Sequence, residues 1–475
     1  MTTEIRQRDV VIVGAGMAGL VAGVRATELG ADVCVLEKGT RPGGSMYLSA
    51  GLIWSYETID DARENVPRGD PELQRTIVEG LDPAFDWLES LGVTVREPPV
   101  ELPTGETVVA PTPGANCGKI EPEAFTDRLR TRIEDGGGEV LVETPMRSLR
   151  TDGNTVVGVD ATTADGEDLE IEADAVVLAT GGFQGNERLL QEYVTPAIEN
   201  LWLRANPWST GDGLTAARDV GAKTTGGMET FYGHNLAAPP ANVTPDRYLE
   251  LTQYYGPFAV AIDERGERFT DESESDLEHT LAQDTAHEAD GRAYYVFDSD
   301  LYDDEVFSMG HIGTIVERSA DRGAEVVRAD SLEAFEEKLY AAGVDGTNAV
   351  ETLDEYNEAV RTGCGDRLDP PRTDYQRPVD TPPFYAVAVQ PGITFTMGGL
   401  HVDEGGRVLD ERRSPSTLFV DEGHDESVEC EPIAGLYAAG VDIGNVNNRH
   451  YMGGLANALV MGRRAVESAV DDRVE

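Results

Sequence analysis

Residues 10–37 read VVIVGAGMAGLVAGVRATELGADVCVLE, and this stretch decides the fold class. Val10 to Val13 is an unbroken apolar run, the pattern of a parallel strand buried on both faces. Gly14-Ala15-Gly16-Met17-Ala18-Gly19 follows without a spacer. Leu20 to Leu29 then reads as a helix that Gly30 stops, and Ala31 to Leu36 as a second strand ending at Glu37. A GxGxxG pattern alone is a weak signal. Set between strand and helix, with an acid 23 residues beyond the first glycine, it specifies a Rossmann-type dinucleotide site. Gly14 allows the tight turn, Gly16 lets backbone approach a pyrophosphate, and Gly19 lets helix and strand pack closely. The helix start offers unpaired N–H groups and a positive dipole end to the phosphates. Glu37 is placed to accept hydrogen bonds from ribose hydroxyls and would repel a 2′-phosphate, which disfavours NADP.

The same rhythm continues outward from this unit. A helix over Pro71 to Leu91 carries Leu73, Ile77, Phe85 and Leu88 on one face. Glu139 to Val142 and Thr155 to Val159 read as strands, and Asp174 to Ala179 as a buried strand ending in Thr180-Gly181-Gly182. From Glu229 to Pro382 the rhythm stops, and aromatics, acids and short segments take over. Two helices stand out there. One begins at Asp330, with Glu333 completing a capping box and Leu332, Phe335 and Leu339 on one face. The other carries Val350, Leu353, Tyr356 and Val360 and stops at Gly363. Strand texture returns at Phe384, Gly435 to Gly440 is a last buried strand, and Gly453-Gly454 opens a helix through Val466. The expected architecture is α/β: a dinucleotide-binding domain over 1–228 and 383–475, completed by both chain ends, and an inserted α+β cap over 229–382. Insertions of this kind make ligand clefts at domain boundaries.

The 475 residues include 88 acids against 38 lysines and arginines, a formal net charge of −50. An acidic tail and an acidic shell around an ordinary core both give such a balance. The acids are spread between apolar runs, which favours the shell, as in proteins of salt-accumulating, halophilic cells. Nucleic acid and anionic membrane are disfavoured as partners, because the surface repels their phosphates. Salt screens the self-repulsion. The thermal midpoint is therefore expected to rise from dilute buffer to molar KCl; a midpoint that stays put refutes the reading. Cys34, Cys117, Cys364 and Cys430 form no CxxC pair, so reduced thiols are expected, with no bound metal and no attached haem. No apolar stretch approaches the ~18 residues of a membrane span. Met1 to Asp9 is polar and runs straight into a strand, so the expected compartment is the cytoplasm.

A simple NAD dehydrogenase continues with further βα units. Here Arg41-Pro42-Gly43-Gly44-Ser45 follows the second strand, and small-residue turns recur at Gly181-Gly182, Thr210-Gly211-Asp212-Gly213 and Gly440. An extended dinucleotide with a bulky ring system needs close backbone approaches at several points, so FAD is the expected cofactor. The helix opening at Gly454 either points its N-terminus at the flavin N1/O2 edge or packs on the sheet as an ordinary helix.

The chain resembles the flavoprotein family of fumarate reductase and succinate dehydrogenase, which also includes 3-ketosteroid dehydrogenases, tricarballylate dehydrogenase and urocanate reductase. The resemblance rests on VVIVGAGMAGL, VLEKGTRPGGS, VVLATGGF, STGDGLTAARDVGA, GERFTDES, FTMGGLHVD, GLYAAGVD and YMGGLANALVMGRRA, in family order over nearly the whole chain. It implies a glutathione-reductase-like FAD domain under a mobile cap. It also implies cofactor contacts at Gly14, Gly16, Ala18, Gly19, Glu37, Lys38, Gly43, Gly44, Ser45, Gly51, Met146, Thr180, Gly181, Gly182, Asp212, Gly440, Asp442, Ala456 and Asn457. Membrane-bound members attach FAD through a histidine after the second strand. Gly44-Ser45-Met46-Tyr47 has none, so non-covalent FAD is expected. Without CxxCH, electrons leave to an unidentified acceptor other than an attached haem.

The family's carboxylate-clamping histidine falls on His234, and its second histidine position reads Phe395. The proton-delivering arginine beyond the RF-x-N/D-E motif reads Asp276, and the carboxylate-binding arginine before the double glycine reads Tyr451, with Arg449 two residues away. Three of the four fumarate-reductase residues are thus replaced. A tyrosine before a glycine pair resembles the ketosteroid and tricarballylate branches, where it polarises a substrate carbonyl together with a backbone N–H. The expected reaction is hydride transfer between flavin N5 and a carbon–carbon bond beside a carbonyl or carboxylate, in the desaturating direction. Tyr451 would polarise the acceptor group, with His234 and Arg449 assisting. Ordinary structural roles for all three remain open, and Tyr254 and Tyr255 are further proton-donor candidates. Arg268 and Glu272 are expected to pair within the cap. A reductase of an unsaturated acid and a flavin-carrying electron-transfer subunit are the alternatives.

Overall fold

The apolar run at 10–13 forms the end of the strand Glu4–Val13, which lies between Asp168–Leu178 and Val33–Leu36, parallel to both. Val10, Val11 and Ile12 are wholly buried there, each worth about 1.5–3 kcal/mol relative to exposure. The computed structural model describes residues 4–101, 107–108, 110–275, 278–306, 310–413 and 430–473. Within them the parallel order is Pro432–Ala438, Asp168–Leu178, Glu4–Val13, Val33–Leu36, Glu139–Leu141. Arg407–Leu409 adds an antiparallel edge, and the hairpin Met146–Asp152 and Thr155–Thr162 joins antiparallel to Asp168–Leu178. A strand from the C-terminal part thus enters the same sheet as the first strand of the chain. The helices Met17–Glu28 and Gly454–Asp471 pack on this sheet.

A second sheet is organised on one strand, Phe384–Thr396, which is buried along nearly its whole length. Val326–Ala329 and Ala293–Phe297 pair antiparallel with its first half. Phe231–Ala237, antiparallel, and Trp202–Leu203, parallel, pair with its second half. Val260–Ile262 extends the sheet beyond Ala293–Phe297. Two members of this sheet, Trp202–Leu203 and Phe384–Thr396, therefore come from outside 229–382, so the sheets do not divide at the breaks read from texture.

Under this sheet Arg268 and Arg372 converge on Glu272, whose side chain is fully buried. Arg268 Nη2 donates to its carboxylate at 2.6 Å, Arg372 Nη1 at 3.0 Å and the Ala261 N–H at 3.0 Å. Burial alone raises the Glu272 carboxyl, but the two guanidinium charges and their hydrogen bonds win and hold it below the ordinary carboxylate value. The Arg268–Glu272 pair expected from sequence thus has a third member, 100 residues further along the chain.

Local expectations need three corrections. The strand around Asp174 begins at Asp168, because its outer half pairs with the hairpin. The helix expected from Asp330 is capped by Ser331, whose hydroxyl accepts from Ala334 N–H, so it runs Leu332–Ala341. The last helix runs on to Asp471. The second cap-region helix, Gly346–Arg361, carries the expected buried Leu353, Tyr356 and Val360. Only eight carboxylate side chains among the described residues are buried, so the acidity is peripheral. The four cysteines are free, and no group of possible metal ligands gathers among the described residues. No described helix is long and apolar enough to cross a membrane.

Candidate active site

A cavity of about 440 Å³ runs from the Gly14–Gly16 turn to the aromatic residues on the second sheet. At the first end the chain comes too close for side chains. A Cβ at Gly14 would lie 2.2 Å from the Ala179 carbonyl oxygen, and one at Gly19 1.8 Å from that of Gly14. Gly16 is different: a Cβ there would meet no protein atom within 4 Å, and its backbone is extended at φ −73°. The space in front of Gly16 is open although the turn could accommodate a side chain. Gly16 also caps the helix Met17–Glu28 without any side-chain hydrogen bond, and the first turn carries no acid. The N–H groups therefore remain available to an anion, as a pyrophosphate requires.

Glu37 is buried beside this turn and accepts from Ala15 N–H at 3.0 Å and Gly39 N–H at 2.6 Å. Each carboxylate oxygen keeps acceptor capacity for a hydroxyl. Lys38 Nζ donates to Asp212 at 2.7 Å and to the Thr210 hydroxyl at 2.5 Å. Ser45, Gly44, Met146, Thr180, Gly181, Ala18 and Gly440 also line the cavity. Gly19, Gly43, Gly51, Gly182, Asp442, Ala456 and Asn457 do not, and several of these brace the wall from behind. Gly43 N–H donates to Ala15 O at 2.7 Å, and Asn457 Nδ2 to Gly440 O at 3.0 Å. Asp442 accepts from both the amide and the hydroxyl of Thr180, the latter at 2.8 Å. Burial lifts its carboxyl to about 6 against these hydrogen bonds.

At the far end Tyr451 lies on the wall, edge-on to Trp54 and stacked on Tyr232 at 3.8 Å between ring centres. Its hydroxyl oxygen accepts from the Gly454 N–H at 2.9 Å, the first amide of the helix Gly454–Asp471. The tyrosine and the backbone N–H thus act in series: the amide polarises the hydroxyl, whose own proton is left to donate. Burial pushes the Tyr451 phenol up to about 12, while the Gly454 N–H and the charge of Arg204 pull the other way. The group is a neutral donor throughout the physiological range.

Tyr232 begins a buried chain of polar groups. Its hydroxyl lies 3.0 Å from His234 Nε2, and His234 Nδ1 lies 3.1 Å from Glu278 Oε2. The Tyr295 hydroxyl donates to Glu278 Oε1 at 2.6 Å, and the Asn235 N–H to both carboxylate oxygens. Burial raises the Glu278 carboxyl well above its usual range, against the bonds from Tyr295 and Asn235. Burial, then the charges of Arg204 and His279, push His234 well below its own. Burial thus favours the uncharged form of both groups. With a proton on Glu278 the chain donates outward to the Tyr232 hydroxyl in the cavity; with Glu278 ionised it runs the other way and draws a proton inward. Glu278 holds this place with a left-handed backbone, φ 64°, a conformation that costs a non-glycine residue roughly 1–2 kcal/mol.

Arg449 is a correction. It does not line the cavity: its backbone is left-handed, φ 65°, and its guanidinium binds Asp284 at 2.6 Å and also Glu274. A guanidinium committed to two carboxylates has no fork left for a substrate acid. Tyr254 lines the cavity, edge-on to His234, whereas Tyr255 is fully buried and donates to Gln253. Asp276 lies outside the described residues. Tyr232, Glu278 and Arg204 carry no motif signal. Only the alternation in the strand Phe231–Ala237, which puts 232 and 234 on one face, hinted at the first.

The family described as FAD binding domain matches residues 9–456, so the chain belongs to it: it is a flavoprotein of the fumarate reductase and succinate dehydrogenase group. It is 27% identical over 501 residues to urocanate reductase of Eggerthella lenta, spanning 99% of this chain and 75% of that protein. It is 26% identical over 484 residues to NADH:fumarate oxidoreductase of Klebsiella pneumoniae, 97% of this chain but about half (47%) of that protein. A solved 3-ketosteroid delta1-dehydrogenase from Sterolibacterium denitrificans superposes with a TM-score of 0.73 at 20% identity, covering 98% of this chain and all of the other, a likeness of fold.

The open space at Gly16 gives a direct test of how the cofactor sits. Gly16→Leu is expected to fold, since neither strain nor a protein neighbour opposes the side chain, yet to emerge from gel filtration colourless with an unchanged far-ultraviolet circular dichroism spectrum. A yellow variant with full FAD content would place the pyrophosphate elsewhere.

Proposed function

We propose that the protein is an FAD-dependent oxidoreductase that desaturates a carbon–carbon bond beside a carbonyl or carboxylate. Its Rossmann-type, glutathione-reductase-like cofactor domain draws on residues 1–228 and 383–475, and its cap on 229–382 together with the strands Trp202–Leu203 and Phe384–Thr396. The observation that carries this is Tyr451: a buried hydroxyl that accepts from the Gly454 N–H, on a residue lining the same cavity as the Gly14–Gly16 turn. FAD fits that cavity through the uncapped helix start behind Gly16, the Glu37 carboxylate and the glycine turns, and it binds without a covalent link. When bound, it accepts or supplies hydride at flavin N5. Tyr451 Oη donates to the oxygen of the activating group and stabilises the charge that develops there. For desaturation Tyr232 Oη takes up the proton leaving the substrate carbon while its own proton passes to His234 Nε2 and that on Nδ1 passes to the Glu278 carboxylate, which must be ionised for this step. The aromatic walls exclude water. Two electrons then pass to a separate acceptor.

A second reading, reduction of an unsaturated acid, has its own support. The Glu278–His234–Tyr232 chain, when Glu278 carries the proton that its burial favours, supplies a proton donor where the reductase arginine is absent. The test is the visible spectrum of the holoprotein, anaerobic and in high KCl, mixed in turn with a 3-oxosteroid, tricarballylate and succinate. Bleaching by one of them is expected. Bleaching by none, with rapid reoxidation of dithionite-reduced protein by an unsaturated acid, would replace the first reading by the second. Inertness in both assays, with an iron–sulfur protein co-purifying, would leave an electron-transfer subunit.

A further inference from the structure

The cavity holds one arginine that the chemistry above does not use. Arg204 follows the short strand Trp202–Leu203, with its N–H bonded to Ile393 O at 2.8 Å. It is 9% exposed and lines the cavity. Nη1 donates to the Thr394 hydroxyl at 2.8 Å, and Nε has no partner. The other deeply placed arginines behave differently: Arg268, Arg372 and Arg449 each reach a carboxylate within 3.0 Å. Among the described residues no carboxylate lies within the 4.0 Å of an ion pair from Arg204. Supply is not the reason, because the chain carries 88 acids. A buried guanidinium without a counter-ion is strongly unfavourable, so its persistence calls for an anion from outside the chain.

Resting on the oxidoreductase reading, we infer that Arg204, with Thr394 beside it, takes the carboxylate of the substrate. The substrate class is accordingly a carboxylic acid with a flat apolar body, and not a neutral steroid ketone. Position favours substrate over cofactor phosphate. The phosphate-binding features gather at Gly14–Gly16, whereas Arg204 is anchored on Thr394, next to Phe395 at the aromatic end, where its charge acts on Tyr232, His234, Glu278 and Tyr451. The walls there, Tyr232, Tyr254, Phe258 and Phe395, suit a planar hydrocarbon. A guanidinium fork matches a carboxylate in two parallel hydrogen bonds.

The test titrates the holoprotein with cinnamate and, separately, with its neutral amide, following the flavin absorption band. Cinnamate is expected to perturb the band and the amide to bind about ten- to hundredfold more weakly. Arg204→Met should lose that preference while keeping FAD, and Arg204→Lys should recover part of it. Equal affinity for acid and amide in the parent protein, no perturbation by cinnamate, or an unchanged preference in Arg204→Met would overturn the inference. Loss of FAD from a folded Arg204→Met would overturn it too, assigning Arg204 to the cofactor. The underlying reading fails separately: an Arg204-dependent preference for acids in a protein whose flavin exchanges electrons with no saturated or unsaturated acid leaves the anion site standing without the reaction.

Discussion

Tyr451→Phe is expected to slow substrate-dependent flavin bleaching by about 10²–10³-fold, the usual loss when one preorganised donor to a developing oxyanion is removed. FAD content should not change, because the hydroxyl touches the helix start and not the glycine turns. The loss is bounded because the substitution frees the Gly454 N–H, which then faces the cavity in place of the hydroxyl and supplies a weaker donor. Since burial keeps the phenol protonated up to about 12, the ratio of parent to variant rates should stay flat across neutral and mildly alkaline pH. Rapid-mixing traces of the two proteins, matched in FAD content, decide the matter. Equal rates would remove Tyr451 from the chemistry, and a ratio that collapses between pH 7 and 9 would mean that the phenol ionises earlier than its surroundings imply.

Glu272→Gln should be the most damaging isosteric change in the second sheet. It preserves shape but leaves two buried guanidinium groups, Arg268 and Arg372, without their shared anion. Breaking a buried pair from one side costs about 3–5 kcal/mol. The expected result is a large drop in the denaturant midpoint in molar KCl, where surface charge is already screened. An unchanged midpoint would show that backbone carbonyls suffice: Pro257 O and Ala259 O accept from Arg372, and Pro370 O from Arg268. The parent protein's pH dependence has a definite sign. The Glu272 carboxyl is depressed on folding, so its contribution is fully present above the unfolded value of about 4.3 and is lost as pH falls through the lower folded one.

What could be read in advance divides by range. The Gly14–Gly19 turn, Glu37 and the strands around them are local: strand, turn, helix and acid lie within 28 residues and constrain one another. Tyr451 is singled out in the sequence by its resemblance to the tyrosine before a glycine pair in the ketosteroid and tricarballylate branches, and the structure sets it on the cavity wall. Glu278 was not legible, since it meets His234 across 44 residues through a left-handed backbone that no composition signals. Arg204 is harder still. What distinguishes it is a missing neighbour, and a sequence with acids everywhere cannot show which arginine lacks one. Arg449 was misjudged for the converse reason: nearness to Tyr451 along the chain suggested nearness in space, but its positive φ turns it toward Asp284.

The long strand Phe384–Thr396 bears on how this molecule can be dissected. Four strands drawn from residues 202 to 329 hydrogen-bond to it, and its far end carries Thr394 and Phe395 into the cavity wall. A truncated version lacking 229–382 would therefore not be a tidy minimal flavoprotein. It would strip three of those four partners and present a 13-residue, largely apolar ribbon with raw edges, a template for pairing with a second copy of itself. Such a fragment should precipitate or form intermolecular sheets, and separation of the two sheets by limited proteolysis would have to cut at more than the two seams that texture suggests.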